Sequence, residues 1–191
     1  MIHGWRSSLL AVASTPLKRC GARLELARFA SVTKGRKHFE RKLIKQPAAI
    51  LYNVVSDVRR YNEFVPWCKR SQVLQTASNG MTAELEVGFN IFTEHYISNV
   101  TVDEPNQVNA VSTDTILFEY LKTEWKFTPA SDPSSTWVTF QVDFQFKSSL
   151  YNEVAKLFMT EVVGQMVQAF ENRCKVVTAE RARANSKRPA S

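Results

Sequence analysis

The chain has 191 residues, of which 44% are hydrophobic, and a formal charge of +7; this suits one domain with a sizeable core plus an extension. No apolar run approaches the ~20 residues of a membrane-spanning helix, so a soluble or peripheral protein is expected. The charge divides as +6 over residues 1–36, −3 over 37–174 and +4 over 175–191; the mildly acidic centre argues against a surface that tracks nucleic-acid phosphates.

The first stretch, 1–30, sets Arg6, Lys18, Arg19, Arg23 and Arg28 among Ser, Ala and Leu with Glu25 as its one acid, the composition of a mitochondrial transit peptide. Arg28-Phe29-Ala30-Ser31 is similar to a matrix-processing site. A basic arm that binds an acidic partner is the alternative. Cys20 would leave with this segment, and Cys68 and Cys174 lack Cys-x-x-Cys spacing, which suits buried thiols in a reducing compartment.

After Lys34 the pattern turns to strand, with Phe39, Arg41 and Leu43 alternating with His38, Glu40 and Lys42 up to Gln46-Pro47. Pro47 is placed to open a helix over Ala48 to Tyr61, where Ile50 or Leu51, Val54 or Val55, and Val58 recur at helical spacing. Pro66 stops it and leaves Phe64, Val65 and Trp67 in a turn. From there the period is two: strands are expected at 71–76, 81–90, 93–102, 107–113, 120–128 and 137–147, with turns at Asn79-Gly80, Glu104-Pro105-Asn106 and 131–134. In the last strand Val138, Phe140, Val142, Phe144 and Phe146 share one face, the mark of a one-sided antiparallel sheet.

A long helix is expected from Ser149 to about Ala184. Val154, Phe158, Val162, Met166, Phe170 and Cys174 run along one i, i+4 row, and Ala155, Met159, Val163 and Val167 fill the next. The apolar arc spans roughly half the circumference, wider than the ~100° stripe of an ordinary surface helix. Glu153, Thr160, Glu161, Gly164, Gln168 and Glu171 keep the other side wet. The fold class is α+β: a curved antiparallel sheet wrapped around the C-terminal helix, with a flexible basic tail at 185–191.

The twelve Phe, four Trp and five Tyr outweigh any catalytic signal. His3, His38 and His95 are scattered, and neither a metal-ligand spacing nor a Gly-rich phosphate loop is present. Glu84 and Glu86 share one strand face, as do Glu94 and Tyr96; solvated charges are the simpler reading than a buried general base. The apolar segments Phe64-Val65-Pro66-Trp67 and Thr115-Ile116-Leu117-Phe118 fall where turns are expected and would suit the rim of a lipid pocket facing a bilayer, or caps on the core.

The segments Val54-Val55-Ser56-Asp57-Val58, Tyr61, Phe64-Val65-Pro66-Trp67-Cys68, Leu85-Glu86-Val87-Gly88-Phe89 and Trp125-Lys126-Phe127 together resemble the mitochondrial coenzyme Q-binding proteins of the START and polyketide-cyclase-like superfamily, over about residues 37–180. The resemblance implies a helix-grip fold holding ubiquinone as a bound ligand, with no cofactor or metal and no catalysis. It also implies a peripheral position on the matrix side of the inner mitochondrial membrane, support of respiration and coenzyme Q synthesis, and contact with the proteins of that synthesis. Phe64, Val65, Pro66, Trp67 and Cys68 match the family signature, and Gly88-Phe89 its hairpin. Strand and helix phase add Trp125, Phe127, Phe140, Phe144, Phe158, Val162, Met166 and Phe170 to the expected ligand-binding wall. Two other readings stand beside this one. The first is a cyclase or hydrolase acting on an aromatic or prenylated substrate through Glu86, His95 or Tyr96; the second is a domain that acts through a protein partner, as similar bacterial proteins do.

Overall fold

A computed structural model of the chain describes residues 35–89, 92–148 and 163–186. The expected transit segment 1–30, the part of the expected long helix at 149–162 with Phe158 and Val162, and residues 187–191 lie outside the described residues.

The alternating stretches form seven strands, β1 (Arg36–Ile44), β2 (Cys68–Ala77), β3 (Gly80–Phe89), β4 (Phe92–Asp103), β5 (Gln107–Thr115), β6 (Phe118–Pro129) and β7 (Thr136–Phe146). They make one antiparallel sheet in the order β1-β7-β6-β5-β4-β3-β2. Strands two to seven follow one another as hairpins, while β1 crosses to pair with β7, Arg36 opposite Phe144 and Ile44 opposite Thr136. The turn into β3 requires its glycine: a Cβ on Gly80 would come within 2.1 Å of the Val100 carbonyl oxygen.

The inward face of the sheet is apolar. Ala83, Leu85, Val100, Val108, Trp125, Phe127, Val138, Phe140, Val142 and Phe144 are buried on it. β1 departs from this rule, because Phe39 and Leu43 point outward, 62% and 44% exposed, and the polar His38, Glu40 and Lys42 take the inward phase. The consequence is a polar seam between β1 and the helix beneath it.

Helix α1 (Ala48–Ser56) begins one residue after Pro47, whose carbonyl accepts from the amides of Ile50 and Leu51. The single helix expected to Tyr61 breaks at Asp57, whose φ of −82° and ψ of 68° leave the helical region. A 3₁₀ turn over Val58–Arg60 and a short helix α2 (Tyr61–Phe64) follow. The Tyr61 hydroxyl reaches back across the break to the Val55 carbonyl and fixes the bend.

Helix α3 (Gly164–Ser186) lies in the curve of the sheet, with Val167, Phe170 and Cys174 buried. It is held from both sides. Lys42 of β1 and Lys175 bind the Glu171 carboxylate at 2.6 and 2.8 Å, and the Thr178 hydroxyl donates to the Gln46 amide oxygen. On the other side Arg173 bonds Glu63 of α2 at 2.9 Å and lies over the Phe64 ring. Glu171, expected on the wet side, is only 15% exposed because these partners cover it. Among the described residues no helix is long and apolar enough to cross a membrane.

Candidate functional site

A curved sheet cannot be filled by one helix, and the space left over is a cavity with an empty volume of about 930 Å³, part of it open to solvent. Its floor is the inward face of β3 to β6, and α2, the loop after it and α3 close it from above. A volume of this order falls in the range of small-molecule sites.

The antiparallel order brings the start of β2, the β3–β4 turn, the β5–β6 turn and the end of β7 to the same end of the sheet. Val65, Pro66 and Trp67 border the cavity there. Trp67 has a backbone φ of 63°, the left-handed region that side chains disfavour. Its carbonyl accepts the Gly88 amide at 2.8 Å, which locks the loop onto β3.

Above the floor the aromatic rings interlock. Phe170 of α3 packs against Tyr61 at 5.2 Å, Phe64 at 5.1 Å and Trp125 at 4.9 Å between ring centres. Met166, one turn earlier on α3, supplies a flexible apolar side chain to the same wall. Of the residues expected to contact a ligand, Val65, Pro66, Trp67, Trp125, Met166 and Phe170 line the cavity together. Phe64 lies beside them, covering Phe170 and capped by Arg173. The side chains of Phe89, Phe158 and Val162 lie outside the described residues.

Phe127, Phe140 and Phe144 are inward but do not border this space among the described residues. Phe127 packs on Tyr52 of α1, Phe140 lies tilted against Trp125 at 4.4 Å, and Phe144 packs on Phe118. Strand phase separates inward from outward residues, whereas α1 and α3 decide which inward residues they cover. The lining residues that phase reasoning passed over are aliphatic ones such as Leu85, Val100 and Leu121, and small or hydroxylated ones, Ala110, Ser98, Ser112 and Thr123.

The described lining contains no charged side chain. Glu86 and His95 lie on the outward face, 4.0 Å apart, and Glu84 pairs there with Arg70 at 3.4 Å. Tyr96 does line the cavity, and burial pushes its phenol well above the ordinary value, so it stays neutral. Burial likewise raises the Cys68 thiol to about 11, leaving it an unreactive apolar part of the wall. Glu94 is buried for another reason: its carboxylate accepts from the Ile116 and Leu117 amides at 2.7 and 3.0 Å. With Lys147 donating to the Thr115 carbonyl, this braces the β5–β6 turn and leaves Ile116 75% exposed at its tip.

Residues 44–171 match the family described as polyketide cyclase / dehydrase and lipid transport. The mitochondrial coenzyme Q-binding protein COQ10 homolog B of Xenopus laevis is 42% identical over 139 residues, 72% of this chain and 57% of the frog protein. The mitochondrial coenzyme Q-binding protein COQ10 of Saccharomyces cerevisiae is 34% identical over 140 residues, 70% of this chain and 68% of that protein. The ribosome association toxin RatA of Pseudomonas aeruginosa is 31% identical over 140 residues, 72% of this chain and 95% of that protein. The chain thus spans a little over half the length of the frog relative. Among solved structures, the ZhuI aromatase/cyclase of Streptomyces superposes with a TM-score of 0.65 at 16% identity, over 80% of this chain and 98% of that one, a likeness of fold alone.

Proposed function

The chain belongs to the polyketide cyclase / dehydrase and lipid transport family and, within it, to the coenzyme Q-binding proteins, and on that premise we propose that it binds ubiquinone between the sheet and α3. The frog and yeast relatives are named as mitochondrial binders, and the same compartment is proposed here, at the matrix face of the inner membrane. In this reading the protein is a carrier that keeps an insoluble quinone available to respiration and to the proteins of quinone synthesis, with ubiquinone as ligand and not as cofactor.

The observation that carries the reading is the lining itself, aliphatic and aromatic with hydroxyls as its polar groups and without a charged side chain among the described residues. An isoprenoid chain gains about 25 cal/mol for each Å² of apolar surface withdrawn from water, offset in part by its lost flexibility. A cyclase or hydrolase would need a proton donor or acceptor in the cavity. Of the three groups expected in that role, Glu86 and His95 face the opposite side of the sheet, and Tyr96 alone lines the cavity, as a phenol with neither carboxylate nor imidazole beside it in the described lining; this favours a binder.

The test is lipid extraction and mass spectrometry on the protein purified gently from mitochondria. Stoichiometric ubiquinone, lost in a folded Trp67→Ala variant, is the expected result. A mixture of phospholipids, or quinone that Trp67→Ala leaves in place, would overturn it.

A further inference from the structure

An apolar cavity accounts for an isoprenoid tail but not for how a ring bearing several oxygens would be held, and the floor has one polar region. Ser98 of β4 and Ser112 of β5 are direct cross-strand partners, and both line the cavity. They are 3% and 2% exposed. Thr123 of β6 lies next to them, opposite Ala110.

The pairing of these serines depends on an irregularity. Tyr96 pairs with Thr115 and Ile97 with Asp114, but Ser98 pairs with Ser112, so β5 carries one extra residue at Thr113. In regular register Ser98 would face Thr113; the bulge instead brings Ser112 inward. Bulges of this kind re-aim side chains and are frequent beside binding sites.

Two hydroxyls nearby have partners within the fold, whereas Tyr96, two residues along β4 from Ser98, makes no side-chain hydrogen bond among the described residues. Thr115 donates to the Phe118 carbonyl, and Tyr61 to that of Val55. Ser98, Ser112 and Thr123 make no side-chain hydrogen bond among the described residues, and the surface they keep is cavity surface. Burying a hydroxyl without a partner is unfavourable, and the adjoining floor positions carry plain aliphatic side chains, Ala83, Val100, Val108 and Ala110. Three unused hydroxyls side by side on such a floor mark the place where a ligand supplies the missing partners.

We propose that Ser98, Ser112 and Thr123 form the polar subsite that holds the oxygen-bearing ring of the bound lipid, donating to its carbonyl and ether oxygens while the isoprenoid tail follows the apolar wall toward Trp67. This rests on the ubiquinone reading and adds to it the position and chemistry of head-group recognition. A hydroxyl both donates and accepts, so the subsite suits the quinone, which only accepts, and also the quinol, which donates. It distinguishes an oxygenated ring from a bare hydrocarbon and does not select a redox state.

The experiment is calorimetric titration of the full chain with two probes, a short-chain ubiquinone and the head-free isoprenoid squalene. Wild type is compared with Ser98→Ala, Ser112→Ala, the double variant and the near-isosteric Thr123→Val. Each lost hydrogen bond is expected to weaken ubiquinone about three- to tenfold, and the double variant more than tenfold, with squalene affinity changed less than twofold. Tm of the free variants should hold or rise, because an unpartnered hydroxyl has been removed; a fall would mark a structural role and count against the subsite. Variants that bind ubiquinone like wild type, or lose both probes equally, overturn the subsite while lipid binding stands. Wild type that binds neither probe overturns the ubiquinone reading and the subsite with it.

Discussion

Trp67 joins two conflicting demands in one residue. Its side chain borders the cavity, while its backbone occupies the left-handed region that only glycine enters freely. A glycine there would relieve the backbone and an alanine would not, although both remove the ring. Trp67→Gly is therefore expected to be about 1 kcal/mol more stable than Trp67→Ala, read from denaturation midpoints, and both should lose ligand to the same extent. Equal stabilities would mean that the loop relaxes out of the left-handed region once the ring is gone. The aromatic half of the site was legible at this scale, because large apolar side chains gathered around Pro66 are unlike an ordinary surface loop, although Phe64, expected in the turn, closes helix α2. The hydroxyl half was not: strict alternation carries β5 past Thr113 in the wrong phase, and a single inserted residue leaves no hydrophobic signature of its own.

Between residues and the whole, the element that decides most is α3. Its apolar rows were plain from their spacing, and Val167, Phe170 and Cys174 are buried as that spacing requires. The polar clamp was not legible, since β1 turns its charged residues inward and its Phe39 and Leu43 outward, against the usual rule. The hydrogen bonds from Lys175 and then Lys42 hold the Glu171 carboxyl below the ordinary carboxylate value. A depressed carboxyl stabilises the fold above its unfolded pKa and loses that contribution as the pH falls through its folded value. Glu171→Gln should thus lower stability by about 1–2 kcal/mol at neutral pH. Thermal melts of wild type and variant should converge on acidification; a difference that persists at low pH would locate the effect in packing and not in charge.

Over the whole molecule, the succession of strands and turns was readable, and the meander from β2 to β7 follows from it, whereas the pairing of β1 with β7 was not. A cavity was expected too, since a bent sheet around one helix leaves space, but its outline was not legible, because which inward residues the helices cover belongs to no local pattern. The same topology puts the Trp67 loop and the braced Ile116 tip at one end, so membrane contact, if it delivers the ligand, belongs there. Ile116→Asp is expected to reduce co-flotation with liposomes severalfold while leaving Tm and ligand affinity in detergent unchanged, since Ile116 is 75% exposed; undiminished flotation would move the contact elsewhere on the surface. The crossing of β1 to β7 also sets an order of events in time. Hairpins β2 to β7 join segments close in sequence, whereas Arg36 must wait for Phe144 before its strand has a partner. Pairings between distant segments close slowly, so the first strand to emerge from a ribosome or a translocation pore is the last to be secured, and until then Phe39, Leu43 and their basic neighbours are open to any chaperone that meets the chain.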